Sequence, residues 1–182
     1  MKICPIFLPV VILLLPLHAA DEPAPVRTGQ EDGIYKTVPG WPSYPEGKGL
    51  GNLHGDLASD SKGNVYIATG NTIQIIGPDG KYRGDIRTKG GKVFKGVHGM
   101  KVRRLAGEEL LLLAMPRIKR VVAVKPDGTV AWQIIGPPQV PGMYESVGEY
   151  NPTDMDVSSD GRVIIADGYG CLLYTSPSPR DS

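Results

Sequence analysis

Leu53-His54-Gly55-Asp56-Leu57-Ala58-Ser59-Asp60-Ser61-Lys62-Gly63-Asn64-Val65-Tyr66-Ile67-Ala68 is a short strand, an Asp-x-x-Gly turn and a second, β-branched strand. The pattern returns from Val97-His98-Gly99-Met100-Lys101-Val102 through Glu109-Leu110-Leu111-Leu112-Leu113-Ala114. It returns again from Pro152-Thr153-Asp154-Met155-Asp156-Val157 through Val163-Ile164-Ile165-Ala166-Asp167. Between copies lie two further strands with their own turn: 72–76, Gly77-Pro78-Asp79-Gly80 and 82–86, then 120–124, Lys125-Pro126-Asp127-Gly128 and 129–135. Pro presets φ and Gly accepts φ > 0, so Pro-Asp-Gly between β-branched runs is a turn with a mechanism. The apolar run 110–115 is too short for a useful helix, and its turn-rich flanks predict a buried strand. Four strands per roughly 40–50 residues is the signature of a propeller blade. A generic antiparallel sandwich is the alternative, and the near-fixed period favours the propeller.

Composition agrees with an all-β chain. Gly 24 and Pro 17 among 182 residues suit a turn-dense protein, and 41% hydrophobic residues mark a globular one. Twenty Lys+Arg against 19 Asp+Glu leave a net charge of +1, which gives no electrostatic reason to expect nucleic acid or an anionic membrane as partner.

Both ends are expected to lie outside the folded domain. Residues 1–20 read as a secretory signal: Lys2, a proline-interrupted apolar run, and His18-Ala19-Ala20 at a cleavage site. The run is short for a membrane span, so the mature protein is expected to be secreted or periplasmic, with no membrane association after cleavage. At the other end, Cys171-Leu172-Leu173-Tyr174-Thr175-Ser176-Pro177-Ser178-Pro179-Arg180-Asp181 is similar, codon for codon, to a translated sequencing adapter. Residues 171–182 are therefore read as an artefact tail that cuts the native sequence near Gly170. The organisation expected is signal 1–20, N-terminal extension 21–49 and truncated propeller 50–170. Both cysteines, Cys4 and Cys171, fall in the excluded ends, so no disulfide is expected.

Three stretches carry a resemblance to a known family. Pro39-Gly40-Trp41-Pro42 through Leu50-Gly51 precedes the first copy, Val97-His98-Gly99-Met100 stands in the second, and Asn151-Pro152-Thr153-Asp154 with Ala166-Asp167-Gly168-Tyr169 stands in the third. Over 38–170 the chain resembles NHL-repeat propellers, and among these the peptidyl-α-hydroxyglycine α-amidating lyases. The resemblance implies a six-bladed propeller of which the chain holds the first two blades and the start of a third. It implies zinc on the central axis, with His98 as one of its histidine ligands, and Tyr169 as the catalytic tyrosine. It also implies calcium lined by the backbone carbonyls of Asp56 and Met100. The substrate would be a peptide or other small molecule, cleaved to amide and glyoxylate, although these residues alone are expected to be inactive. Two features depart from the family pattern: its catalytic arginine falls at Thr69, and its disulfide cysteines fall at Tyr150 and Gly170.

Read from the residues alone, His54 and His98 either line a channel or hydrogen-bond backbone where sheets converge. Tyr169 is either catalytic or a packing aromatic. Asp154, Asp156 and Asp167 are expected to cap turns and bond between strands. Arg103-Arg104 and Lys119-Arg120 are expected to be solvated pairs. The Pro/Gly-rich loop 136–150, with Met143 and Tyr144, is expected to overhang a channel mouth. Two other functions stay open: a non-catalytic propeller binding peptide, glycan or protein, and a calcium-dependent lactonase-like propeller.

Overall fold

The computed structural model describes residues 27–28, 35–139 and 141–168, and for Arg27, Thr28, Leu53 and His54 the backbone alone. The chain divides into two compact units, with the break after Gly40. In the first, β1 (Arg27–Thr28) pairs antiparallel with β2 (Tyr35–Lys36). The second begins at Trp41 and is all-β.

Its first sheet is an antiparallel meander of β3 (Leu53–Ser59), β4 (Val65–Thr69), β5 (Ile73–Ile76) and β6 (Tyr82–Asp85). Its second is another meander, β7 (Gly99–Leu105), β8 (Glu108–Met115), β9 (Arg120–Val124) and β10 (Val130–Ile135). A hairpin follows, β11 (Pro152–Val157) with β12 (Val163–Asp167). Among the described residues helix is confined to two 3₁₀ turns, Pro116–Ile118 and Val147–Glu149. Among the described residues the sheets do not close into a barrel, and no helix is long and apolar enough to cross a membrane.

The turns form as their sequences require. In Gly77-Pro78-Asp79-Gly80 the Gly80 N–H closes on Gly77 O at 2.9 Å, and Gly80 takes φ +76°, open to glycine without a Cβ clash. Lys125-Pro126-Asp127-Gly128 repeats this, Gly128 N–H to Lys125 O at 2.8 Å. Asp60 organises the β3–β4 turn with both carboxylate oxygens. Oδ1 accepts the Lys62 and Asn64 N–H groups, and Oδ2 accepts the Asn64 amide and the Tyr66 hydroxyl. Desolvation pushes the Asp60 carboxyl up, and these donors outweigh it to hold the group below the ordinary range.

The central strands of the second sheet, β8 and β9, are buried on both faces. Leu111, Leu113, Met115, Val122 and Val124 pack against Tyr66, Ala68 and Ile73 of the first sheet. Leu110, Leu112, Ala114, Val121 and Ala123 pack against Met155, Val157 and Ile165 of the hairpin. A strand covered on both sides cannot alternate apolar with polar, which is why 110–115 reads as an unbroken apolar run. At ~1.5–3 kcal/mol per fully buried aliphatic side chain, this strand carries a large share of the core.

The first strands of the three sheets lie side by side, β3 against β7 and β7 against β11. The segment 41–49, read above as extension, packs on the first sheet. Ser43 bridges Lys81 at the edge of β6, with Ser43 N–H to Gly80 O and Tyr82 N–H to Ser43 O, both 2.9 Å. Such a strap blunts an otherwise open sheet edge.

Candidate functional site

His98 stands immediately before β7, its N–H donating to Ala114 O at 2.9 Å. Its Nδ1 lies 2.9 Å from Thr153 O at the start of β11. A carbonyl oxygen only accepts, so Nδ1 carries the proton, and in the neutral ring Nε2 holds the lone pair. The next residue explains the approach. A Cβ on Gly99 would stand 2.5 Å from Thr153 O and 2.9 Å from Asp154 Cα, so only glycine lets β7 come this close to β11. Gly55 does the same one sheet earlier, where a Cβ would stand 2.6 Å from Ala68 O and 2.9 Å from Val97 O. In both His-Gly pairs the glycine therefore serves the contact between sheets. The His54 side chain and all of Tyr169 lie outside the described residues.

Below His98, charged side chains join the first strands. The Lys101 ammonium sits between two carboxylates, 3.3 Å from Asp56 Oδ2 and 2.9 Å from Asp154 Oδ1. Asp56 Oδ2 also accepts the Met100 N–H at 3.3 Å. Burial raises the Asp56 carboxyl, and the Leu57 and Met100 N–H groups with the Lys101 ammonium outweigh it, so the group ends below its ordinary value. Asp56 and Met100 thus meet directly, with a resident cation beside them, while the Met100 side chain is wholly buried in the core. One step along, Arg103 grips Asp156 with Nε at 2.6 Å and a terminal nitrogen at 2.8 Å. The expectation that Arg103 belongs to a solvated pair is corrected by this fork, which spans residues too far apart in sequence to reveal each other.

Asp167 is held at the other end of the hairpin, by the Tyr144 hydroxyl and the Asn151 N–H, both at 2.8 Å. The loop 136–150 folds back here, Tyr144 standing edge-on to Tyr150 with ring centroids 5.9 Å apart. Thr69 is 4% exposed and turned into its own turn: its hydroxyl donates to Thr72 O and accepts the Thr72 N–H, each at 3.1 Å.

The imidazole of His98 lines a cleft of about 410 Å³, bordered by Gly70 after β4, Gly96, Arg117, Lys119 and Asn151. It gathers the ends of successive strands, because β4, β8 and the approaches to β7 and β11 all finish at this rim. No carboxylate lines it among the described residues. Lys119, expected to be solvated, instead donates to Gly148 O at 2.8 Å and to Asn151 Oδ1 at 2.5 Å. Arg117 was not singled out from the sequence, and Lys119 only as a solvated cation; the signal was present in Pro116-Arg117-Ile118-Lys119-Arg120, where three cations crowd a strand end without an acid. Among the described residues no three His, Cys, Asp or Glu side chains gather as a metal-holding group.

No protein-family model and no curated protein matches the chain. A solved structure, of a protein of unknown function from Bacteroides caccae, is similar at 15% identity with a TM-score of 0.36. The match covers 60% of this chain and 36% of that one, so the chain spans about a third of the length of the protein it resembles.

Proposed function

We propose that the chain is part of an exported NHL-type β-propeller whose ligand binds in the cleft beside His98. In this reading the two meanders are blades, the hairpin opens a third, and β3, β7 and β11 are the inner strands facing the axis. The activity proposed is lyase-like, with His98 contributing one imidazole to a zinc site and Tyr169 acting as the catalytic phenol. A single observation carries the metal half: Nδ1–H of His98 donates to a backbone carbonyl at 2.9 Å, the support that metal-ligating imidazoles characteristically have. The remaining ligands would come from outside the described residues. When bound, zinc would supply Lewis-acid polarisation of a substrate oxygen. The role of the chain's own residues is to orient the His98 ring through Thr153 and to border the cleft.

Calcium at Asp56 and Met100 would rest on carbonyl oxygens alone, since the Asp56 carboxylate already serves the Lys101 ammonium and the Met100 N–H. Metal analysis of the intact natural protein tests the proposal. Near-stoichiometric zinc that is lost in His98→Ala, with glyoxylate released from a peptidyl-hydroxyglycine, is the expected result; absence of zinc overturns it.

A second reading, a non-catalytic binding propeller, draws support from Thr69. That side chain is buried and committed to its own turn, so no guanidinium stands where the resemblance asks for one. Zinc-free protein that binds peptide or glycan without turnover would favour this reading.

A further inference from the structure

We propose that the cleft beside His98 is an oxyanion site, in which the Arg117 guanidinium and the Lys119 ammonium hold the carboxylate or phosphate group of a small ligand. The proposal goes beyond the metal reading and does not require it, since neither side chain is a metal ligand.

The argument begins with unbalanced charge. Several cations elsewhere in the sheets face carboxylates: Lys101 on Asp56 and Asp154, Arg103 on Asp156, Arg83 on Asp79, Lys125 on Glu108. At the cleft this pattern stops. Among the described residues Lys119 bonds only to neutral oxygens, Gly148 O and Asn151 Oδ1, so its position is fixed while no carboxylate there compensates its charge. Arg117 is exposed and makes no hydrogen bond or ion pair among the described residues. Asp167, whose Oδ1 accepts the N–H of the cleft residue Asn151, is committed to that N–H and to the Tyr144 hydroxyl. A half-enclosed space walled by cations without an acid favours an anionic occupant, and a guanidinium suits an oxyanion because its N–H fork matches two oxygens.

The backbone prepares the site. Lys119 has φ +55° and ψ +45°, a left-handed conformation that residues with a Cβ seldom take. It is locked from both sides, Lys119 N–H donating to Pro116 O at 3.1 Å and Gly136 N–H to Lys119 O at 2.8 Å. Backbone held in a sparsely populated region recurs at ligand sites, where it aims a side chain. The Arg117 stem runs alongside Gly96, where a Cβ would meet Arg117 Cδ at 3.6 Å in ordinary van der Waals contact. The cleft, about 410 Å³, lies within the range of small-molecule sites.

Calorimetric titration of the full chain, treated with chelator to remove metal, tests the site with inorganic phosphate and, separately, with succinate. Binding of either is expected, weakening by about tenfold or more in Arg117→Ala and again in Lys119→Ala, as loss of one charge-assisted hydrogen bond implies. Which probe binds tells a phosphate ligand from a carboxylate one. Circular dichroism checks that the variants fold, and Arg117→Gln serves if the alanine variant does not. Binding of neither anion, or unchanged affinity without the guanidinium, overturns the proposal. Zinc content, followed in His98→Ala, is a separate readout: anion binding without zinc leaves this site standing while the metal reading falls.

Discussion

Arg103 closes a two-pronged hydrogen bond on Asp156, 2.6 and 2.8 Å long, which ties the first strand of the second sheet to the first strand of the hairpin. The fork, with the Val157 N–H, outweighs the upward push of desolvation and draws the Asp156 carboxyl down to about 2. A carboxyl that is more acidic in the folded state stabilises the fold above its unfolded value of ~3.9 and loses that contribution as pH falls toward the folded value. Denaturant midpoints of the wild type and Asp156→Asn are therefore expected to differ at pH 6, converge between about pH 4 and 2, and coincide below that. A constant gap across this window would dissociate the fork from the pH response.

Substitution of Gly99 probes the approach of β7 to β11. An added methyl would stand 2.5 Å from Thr153 O, against backbone that cannot swing aside, whereas Gly49 has nothing within 4 Å. Gly99→Ala is expected to cost on the order of 1–3 kcal/mol in chemical denaturation, with Gly49→Ala close to neutral.

Leu112, fully buried between the second sheet and the hairpin, is expected to cost ~2–5 kcal/mol when truncated to alanine. Ile164 on β12 is 61% exposed, so its alanine variant should fall within about 0.5 kcal/mol of wild type. Equal losses at the two positions would contradict the layered core.

Two buried tyrosines among the described residues, Tyr66 and Tyr150, should respond differently to loss of the hydroxyl. Tyr66 gives its hydroxyl to Asp60 Oδ2 at 2.9 Å, while the Tyr150 hydroxyl is buried with no hydrogen-bond partner among the described residues. Tyr66→Phe is expected to lose about 1 kcal/mol, and Tyr150→Phe to gain stability or leave it unchanged, because it removes an unsatisfied polar atom. Thermal melts of the two variants side by side check the contrast.

What the sequence disclosed was local. The Pro-Asp-Gly turns at 77–80 and 125–128 and the buried strand at 110–115 were legible because each rests on neighbouring residues. The His-Gly pairs were legible as a recurring position, but the work of Gly99 was not, since its constraint comes from Thr153 on another sheet. Lys101 and Arg103 hid for the same reason: their carboxylates are more than 40 residues away, and a dibasic pair with distant partners looks identical to a solvated one. Arg117 and Lys119 acquire their meaning only where the ends of several strands converge.

Gln74 has a practical corollary. This amide is 5% exposed and is satisfied entirely by the leading segment: Tyr44 Oη donates to its Oε1 at 2.6 Å, and its Nε2 donates to Gly49 O at 3.1 Å. Trimming a recombinant version back to the first repeat would strip both partners and strand a polar group in the interior. Anyone choosing a start codon for bench work should keep everything from Trp41 onward, because the unit of folding starts well ahead of the unit of repetition.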